Sequence, residues 1–82
     1  MAKTFHLTVA RVGENLFEGE AISATLPGSE GIFQILAEHE AFVSELVSGE
    51  MQVKANDEKT YHFEIPKGGI AEVSHNQATI LL

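Results

Sequence analysis

The amino-acid sequence predicts an all-β fold, a sandwich or barrel of about eight to ten short strands. Apolar and polar residues alternate with a period of two in at least five segments, as in half-buried strands. Turn-forming residues interrupt these segments roughly every eight to twelve positions. No segment shows the apolar period of a helix longer than about two turns. We expect residues 1–82 to form one small domain.

The composition excludes several classes of function. Five basic and twelve acidic residues give a net charge of −7, which argues against binding to nucleic acid or to anionic lipid. The chain has no cysteine, so disulfides and thiolate metal sites are excluded. No apolar run approaches the ~20 residues of a membrane span, and no signal or transit peptide is recognisable. We therefore expect no direct membrane insertion.

The first half of the chain begins with an alternating strand over residues 4–10, followed by a turn around Gly13. A short strand at Leu16 and Phe17 is expected to be interrupted at Gly19 by a bulge or a bend. Residues 20–26 alternate again. The residues predicted to share the inner faces of these strands are Phe5, Leu7, Val9, Ile22, Ala24 and Leu26.

The stretch from Leu26 to Phe42 stands out from the rest of the chain. Pro27 is expected to end the preceding strand, and residues 28–31 (Gly-Ser-Glu-Gly) form a tight polar turn. The apolar run over residues 32–36 does not alternate cleanly, so both of its faces are expected to meet apolar surroundings. A small chain cannot bury both faces of such a strand, and one face is therefore predicted to remain exposed for a partner.

The second half contains two predicted hairpins. Residues 41–47 fit either a strand or one helical turn. Residues 50–56 and 60–65 form one hairpin, and residues 70–74 and 78–82 flank the turn of the other. The predicted inward residues of the first hairpin are Met51, Val53, Ala55, Tyr61, Phe63 and Ile65.

The sequence shows no group of residues typical of a catalytic, metal or cofactor site. The four histidines lie far apart, and in a strand Glu38 and Glu40 would point away from His39, so we predict no metal site, no cofactor and no catalytic residues. An interaction module is the favoured interpretation. The alternatives are a small β-barrel that binds a ligand in an apolar pocket, and a hydrolase that uses residues 38–40.

Several segments resemble the epsilon subunit of the F-type ATP synthase. The resemblance is carried by residues 5–9 (FHLTV), 16–19 (LFEG), 26–31 (LPGSEG), 68–73 (GGIAEV) and 76–81 (NQATIL), and by residues 35–36 with His39. It covers nearly the whole chain in order. It implies a flattened β-sandwich at the foot of the central stalk, a non-catalytic rotor subunit that joins the gamma subunit to the polar loops of the membrane c-ring and helps to couple ion flow to ATP synthesis.

The resemblance also implies which residues meet each partner. The ring-facing residues would be Ser29, Glu30, Gly31 and Ile32, and the gamma-facing residues would be Phe33, Ile35, His39 and Phe42. This chain departs from the family's pattern at four places. It has Ile32 where a second acid is common, Gln34 where glycine is usual, Ala37-Glu38 in place of Pro-Gly, and Ala41 in place of proline.

The family commonly carries a helical hairpin after the sandwich, which can brake ATP hydrolysis or hold ATP. The sequence ends at Leu82, where that hairpin would begin. If Leu82 is the natural end, we expect a coupling subunit without a brake. The absence of a transit peptide favours a peripheral position on the cytoplasmic side of a bacterial plasma membrane, through the synthase complex.

Overall fold

The computed structural model describes residues 3–82, which form eight strands and no helix. No segment within this range is a helix that could cross a membrane. The predicted all-β class is confirmed. The strands are β1 (Phe5–Arg11), β2 (Glu14–Gly28), β3 (Gly31–Leu36), β4 (Phe42–Glu45), β5 (Gly49–Ala55), β6 (Thr60–Ile65), β7 (Ile70–Ser74) and β8 (Gln77–Leu81).

All eight strands belong to one sheet, in the order β4-β7-β8-β1-β2-β5-β6, with β3 paired to β2. The first half of β2 pairs with β1, and its second half pairs with β3 on one edge and β5 on the other. The long strand β2 thus belongs to two layers. One layer contains β4, β7, β8 and β1, and the other contains β3, β5 and β6. All pairs are antiparallel except β1 with β8.

Two bulges let β2 serve both layers. Leu16 is an extra residue opposite β1, because Val9 pairs with Phe17 and Ala10 pairs with Asn15. Ile22 is an extra residue opposite β5, between the pairs made by Ala21 and Ser23. Bulges bend a strand and increase its twist. The expectation of an interruption at Gly19 is wrong, since Gly19 pairs with Leu7 in regular register.

The sheet also closes on itself where β2 ends beside β4. Gly28 forms a bridge with Leu46, and the backbone N–H of Val47 donates to the carbonyl of Pro27 at 2.9 Å. The N–H of Ser29 donates to the carbonyl of Glu45 at 3.0 Å. The expectation that Pro27 ends the strand is therefore wrong by two residues, because the Pro27 carbonyl remains available for this closure.

The core lies between the two layers and receives the inner residues of seven strands and of the segment after β4. Ile22, as the bulged residue, is only half-buried, and Ala21 takes the core position on its side. The remaining predicted inward residues are buried or pack against the core. The largest fully buried side chains are Phe5, Leu7, Leu26, Ile35, Met51, Ile80, Val9 and Val53.

Gly28 is required at the closure, which gives a test of this part of the fold. A Cβ added there would lie 2.8 Å from the carbonyl oxygen of Gly31 and 2.8 Å from ring carbons of Phe33. We expect Gly28→Ala to lower the free energy of unfolding by about 1–3 kcal/mol, as overpacking does. Urea denaturation followed by circular dichroism measures this change.

Gly19→Ala is the matched control, because the nearest atom to its added Cβ is a Phe17 ring carbon at an ordinary 3.8 Å. We expect a change within about 0.5 kcal/mol. Equal destabilisation by the two substitutions would contradict the close contact at Gly28.

Candidate interaction surfaces

The turn between β2 and β3 projects from the closed end of the sandwich. Ser29 and Glu30 are exposed, and Gly31 adopts a φ of +126°, a conformation that favours glycine. Ile32, the next residue, is 79% exposed. The hydrogen bond from Ser29 to Glu45 fixes this turn to the end of β4. The predicted polar turn over residues 28–31 is thus present, and together with Ile32 it presents one carboxylate and one apolar side chain to solvent.

The run over residues 32–36 alternates in the structure, contrary to its appearance in the sequence. Phe33 and Ile35 point inward, while Ile32, Gln34 and Leu36 point outward. The predicted exposed apolar patch on this run is confirmed, but Ile32 and Leu36 form it. Ile35 has 0% exposure, because it lies opposite Ala24 inside the core, so its proposed direct contact with a partner is wrong.

Three ring-bearing side chains cluster at the edge between the two layers. The Phe33 and Phe42 rings meet edge to face, with centroids 5.2 Å apart, and the His39 ring lies 5.0 Å from that of Phe42. Both phenylalanines are half-buried and pack against the core, while His39 is exposed. Sequence analysis had placed these three residues on one surface, and the structure brings them together.

Asn76, which sequence analysis did not single out, holds the loop that carries His39. Its side chain accepts a hydrogen bond from the backbone N–H of Glu38 at 2.7 Å and donates one to the carbonyl of Thr4 at 3.0 Å. Its own φ of 57° and that of His75 match a tight hairpin turn between β7 and β8. Asn76 thereby ties the loop after β3, the start of β1 and the β7–β8 turn together.

The outer face of β4, β7 and β8 carries a second exposed apolar surface. Val43 is 66% exposed, and Ile70 and Leu81 are exposed and pair across β7 and β8. We call Val43, Ile70 and Leu81 the outer apolar patch. A signal for it was present in the sequence. Ile70 lies two residues before Glu72 in β7, so its apolar side chain points to the same outward face as that carboxylate. Glu45 and Glu72 lie in the same face, opposite Ile70 and Val43.

The ionisable groups form surface pairs. His6 lies between Glu18 and Glu20, with each ring nitrogen 3.3 Å from one carboxylate. Glu38 pairs with Lys3, and His39 Nδ1 lies 2.9 Å from the backbone carbonyl of Glu40. Residues 38–40 therefore do not converge on a common point. Among residues 3–82, no group of three histidine or acidic side chains is arranged to hold a metal ion.

The cavities described for this chain are shallow and lie outside the core. One of about 200 Å³ is on the outer face of β2, β3, β5 and β6, and is lined by polar side chains. Another of about 330 Å³ lies beside Phe17 and Tyr61 near the β5–β6 turn. The space between the layers is filled by the buried side chains, so these observations do not support an interior ligand pocket of the kind that the β-barrel alternative needs.

A rigid sandwich with exposed apolar and polar surfaces defines the class of a small all-β interaction domain. A family model described as the β-sandwich domain of the ATP synthase delta/epsilon chain matches residues 4–82. The chain belongs to this family.

Curated relatives are ATP synthase epsilon chains. That of Chlorobium limicola is 35% identical over 79 residues, covering 96% of this chain and 89% of the relative. That of Thioalkalivibrio sulfidiphilus is 32% identical over 81 residues, covering 99% of this chain and 57% of the relative. The chain thus spans little more than half the length of some relatives and most of the length of others.

Solved structures agree with the fold. A chain of the Euglena gracilis mitochondrial ATP synthase, in an assembly of OSCP, F1 and c-ring, superposes with a TM-score of 0.87 at 28% identity, covering 95% of this chain and 49% of the other. A chain from the central stalk and c-ring of the Tetrahymena thermophila enzyme gives a TM-score of 0.78 at 17% identity, covering 98% of this chain and 63% of the other, and it supports the fold alone.

Glu38, which stands where the family resemblance implies glycine, occupies a left-handed backbone conformation with φ of 62°. A non-glycine residue in this conformation costs about 1–2 kcal/mol, and glycine avoids that cost while losing some chain entropy. We expect Glu38→Gly to raise the free energy of unfolding by about 0.5–1 kcal/mol. The hydrogen bond to Asn76 is retained, since it uses the backbone N–H of residue 38.

The matched control is Glu40→Gly in the same loop, because Glu40 is also exposed and has no positive φ. Thermal or urea unfolding of both variants measures the difference. Lower stability of Glu38→Gly than of the original chain would show that the exposed ion pair with Lys3 outweighs the backbone cost.

Proposed function

We propose that this chain is a non-catalytic central-stalk subunit of a rotary ATP synthase, which joins the gamma subunit to the polar loops of the membrane c-ring. The observation that carries this proposal is the outer apolar patch on the rigid β4-β7-β8 face, in a chain of the delta/epsilon family. Exposed apolar side chains grouped on one face of a small domain suit a protein contact. The catalytic chemistry of the enzyme would belong to other subunits.

The gamma-facing surface would comprise the outer apolar patch and the neighbouring ring cluster of Phe33, His39 and Phe42. Phe42 and Val43 are consecutive residues of β4 and point to opposite faces of this strand, so gamma would contact both the edge of the sandwich and its outer face. Ile35 would support this surface from within the core, without touching the partner. Glu45 and Glu72 border the patch, and they would suit a partner surface that places basic side chains around an apolar centre.

The ring-facing surface would comprise Ser29, Glu30, Gly31 and Ile32. Glu30 would accept charge-assisted hydrogen bonds from polar or basic loop groups, and Ile32 would add apolar contact. This turn is bound to the end of β4 through the hydrogen bond from Ser29 to Glu45. A backbone hydrogen bond therefore links the two proposed surfaces. Such a rigid link suits a subunit that must transmit torque from the ring to gamma without deforming.

The subunit would be peripheral to the membrane, held there by protein contacts. Its curated relatives come from bacteria, which supports a position on the cytoplasmic side of the plasma membrane. Coupling of rotation is the activity proposed for residues 1–82.

The outer apolar patch gives a direct test of gamma binding. We expect the double substitution Val43→Gln with Ile70→Gln to raise the Kd for the cognate gamma subunit at least tenfold, or about 1.4 kcal/mol. The reason is that the variant buries less apolar surface against gamma than the original chain does. Folding should change little, since both residues are exposed strand positions. Isothermal titration calorimetry with purified gamma measures the Kd.

Val12→Gln is the matched control, since Val12 is 101% exposed in the turn between β1 and β2 and belongs to neither proposed surface. It should leave the Kd unchanged. Unaltered binding by the double variant, with the wild-type fold retained, would remove the outer apolar patch from the gamma contact.

A further inference from the structure

The free edge of β3 differs from the other free edges of the sheet. Among the strands of residues 3–82, β3, β4 and β6 lie at edges. Strand β6 carries the exposed side chains of His62 and Glu64, and β4 has only four residues and ends at Glu45. Strand β3 has six residues, with no proline, no charged side chain and no register shift against β2. Charges, prolines, bulges and shortness protect edge strands from pairing with other chains, and β3 has none of these protections.

The backbone of β3 offers unused hydrogen-bonding groups along this edge. Directly opposed residues of an antiparallel ladder alternately exchange two hydrogen bonds or none. Ile32 lies opposite Pro27, which has no N–H, so this pair belongs to the class that exchanges none. Gln34 and Leu36 have the same parity, and the N–H and C=O groups of these three β3 residues therefore point away from β2. Among residues 3–82, these groups take part in no other hydrogen bond.

The same three residues also place their side chains on the outer face of the second layer. Ile32 is 79% exposed and Leu36 is 49% exposed, and the exposed amide of Gln34 lies between them. Free backbone groups and exposed apolar side chains thus occur at the same alternate positions of β3. A strand added at this edge would use the backbone groups and cover the apolar side chains together.

We propose that the free edge of β3 pairs with the same edge of a second copy of this chain, antiparallel and about a twofold axis at Gln34. In this register Ile32 lies opposite Leu36 of the second copy, and the reverse pair lies on the other side of the axis. Each of the three outward-pointing residue pairs exchanges two backbone hydrogen bonds. The two Gln34 side-chain amides meet at the axis, where each can donate to the other.

The order of the outward side chains is the argument for a second copy rather than another protein. The order is apolar, amide, apolar, and it is the same in both chain directions. Antiparallel pairing of β3 with itself therefore sets apolar against apolar and amide against amide, and it buries no charge. Like charges meet only at the strand ends, where Glu30 lies opposite Glu38 of the second copy. Lys3, whose Nζ lies 3.3 Å from a carboxylate oxygen of Glu38, offsets part of that repulsion.

Pairing of β3 competes with the proposed contact to the ring. The dimer covers Ile32, which is also assigned to the ring-facing surface, so a dimeric chain and a ring-bound chain exclude each other. The inference itself does not rest on the proposed function, because the edge belongs to the isolated chain. One pair of short strands is a small interface, and the dimer is therefore weak.

Sedimentation equilibrium of the full 82-residue chain tests the proposal. We expect a monomer–dimer equilibrium with a Kd on the order of 0.1–1 mM. Added salt should lower the Kd, because it screens the repulsion between two copies of net charge −7. In 1H–15N NMR, amide hydrogen exchange at Ile32, Gln34 and Leu36 should slow as the protein concentration rises, because these N–H groups gain partners only in the dimer.

Two lysine variants separate the β3 edge from the rest of the outer face. Gln34→Lys should raise the dimer Kd at least tenfold, because the axis sets two ammonium groups opposite each other. Gln52→Lys is the matched control: it makes the same change at an exposed position of the same face, but on β5, which is separated from β3 by β2. It should change the Kd by less than about twofold.

Three results would each overturn the proposal. They are a chain that stays monomeric at all concentrations, a dimer in which exchange at the three β3 amides is unchanged, and equal effects of the two lysine variants with both folds retained by circular dichroism. None of these results bears on binding to gamma or to the c-ring, so the proposed function would stand or fall separately.

Discussion

The closure of the sheet at the end of β2 is the interaction on which the rest of the structure depends. The bridge between Gly28 and Leu46, with the hydrogen bonds from Val47 to Pro27 and from Ser29 to Glu45, joins the two layers at one end. Without it, β4 would be hydrogen-bonded to β7 alone. The same closure fixes the turn that carries Glu30 against the strand that carries Val43, so the proposed partner surfaces have a defined relative position.

Much of the fold could be predicted from the sequence because side-chain alternation is a local property. The inward faces of β1, β5 and β6 and the two late hairpins follow directly from period two and from turn residues. The bulges at Leu16 and Ile22, the parallel pair of β1 with β8 and the closure could not, because they depend on pairing between distant segments. Gly19 wrongly indicated a bulge or a bend, because the sequence around it does not show that it pairs regularly with Leu7.

The candidate surfaces were only partly predictable for the same reason. The turn at residues 28–31 and the grouping of Phe33, His39 and Phe42 follow from sequence order and the family resemblance. Ile35 was wrongly assigned to the gamma-facing surface. In a continuous apolar run, the sequence does not show which side chains point inward until the pairing of Ile35 with Ala24 is known. The outward position of Ile70 could be read from the sequence, but its pairing with Leu81 could not, and the role of Asn76 likewise depends on contacts with distant segments.

The central claim is that this chain joins gamma to the c-ring through the two surfaces linked at the closure. The most direct measurement is site-specific photo-cross-linking in bacterial membranes that carry the assembled synthase, with p-benzoylphenylalanine placed at Ile32, Val43 or Val12. The account predicts cross-links from Ile32 to the c subunit, from Val43 to gamma, and from fully exposed Val12 to neither. Failure of both Ile32 and Val43 to cross-link, or cross-links to gamma from Val12 alone, would contradict it.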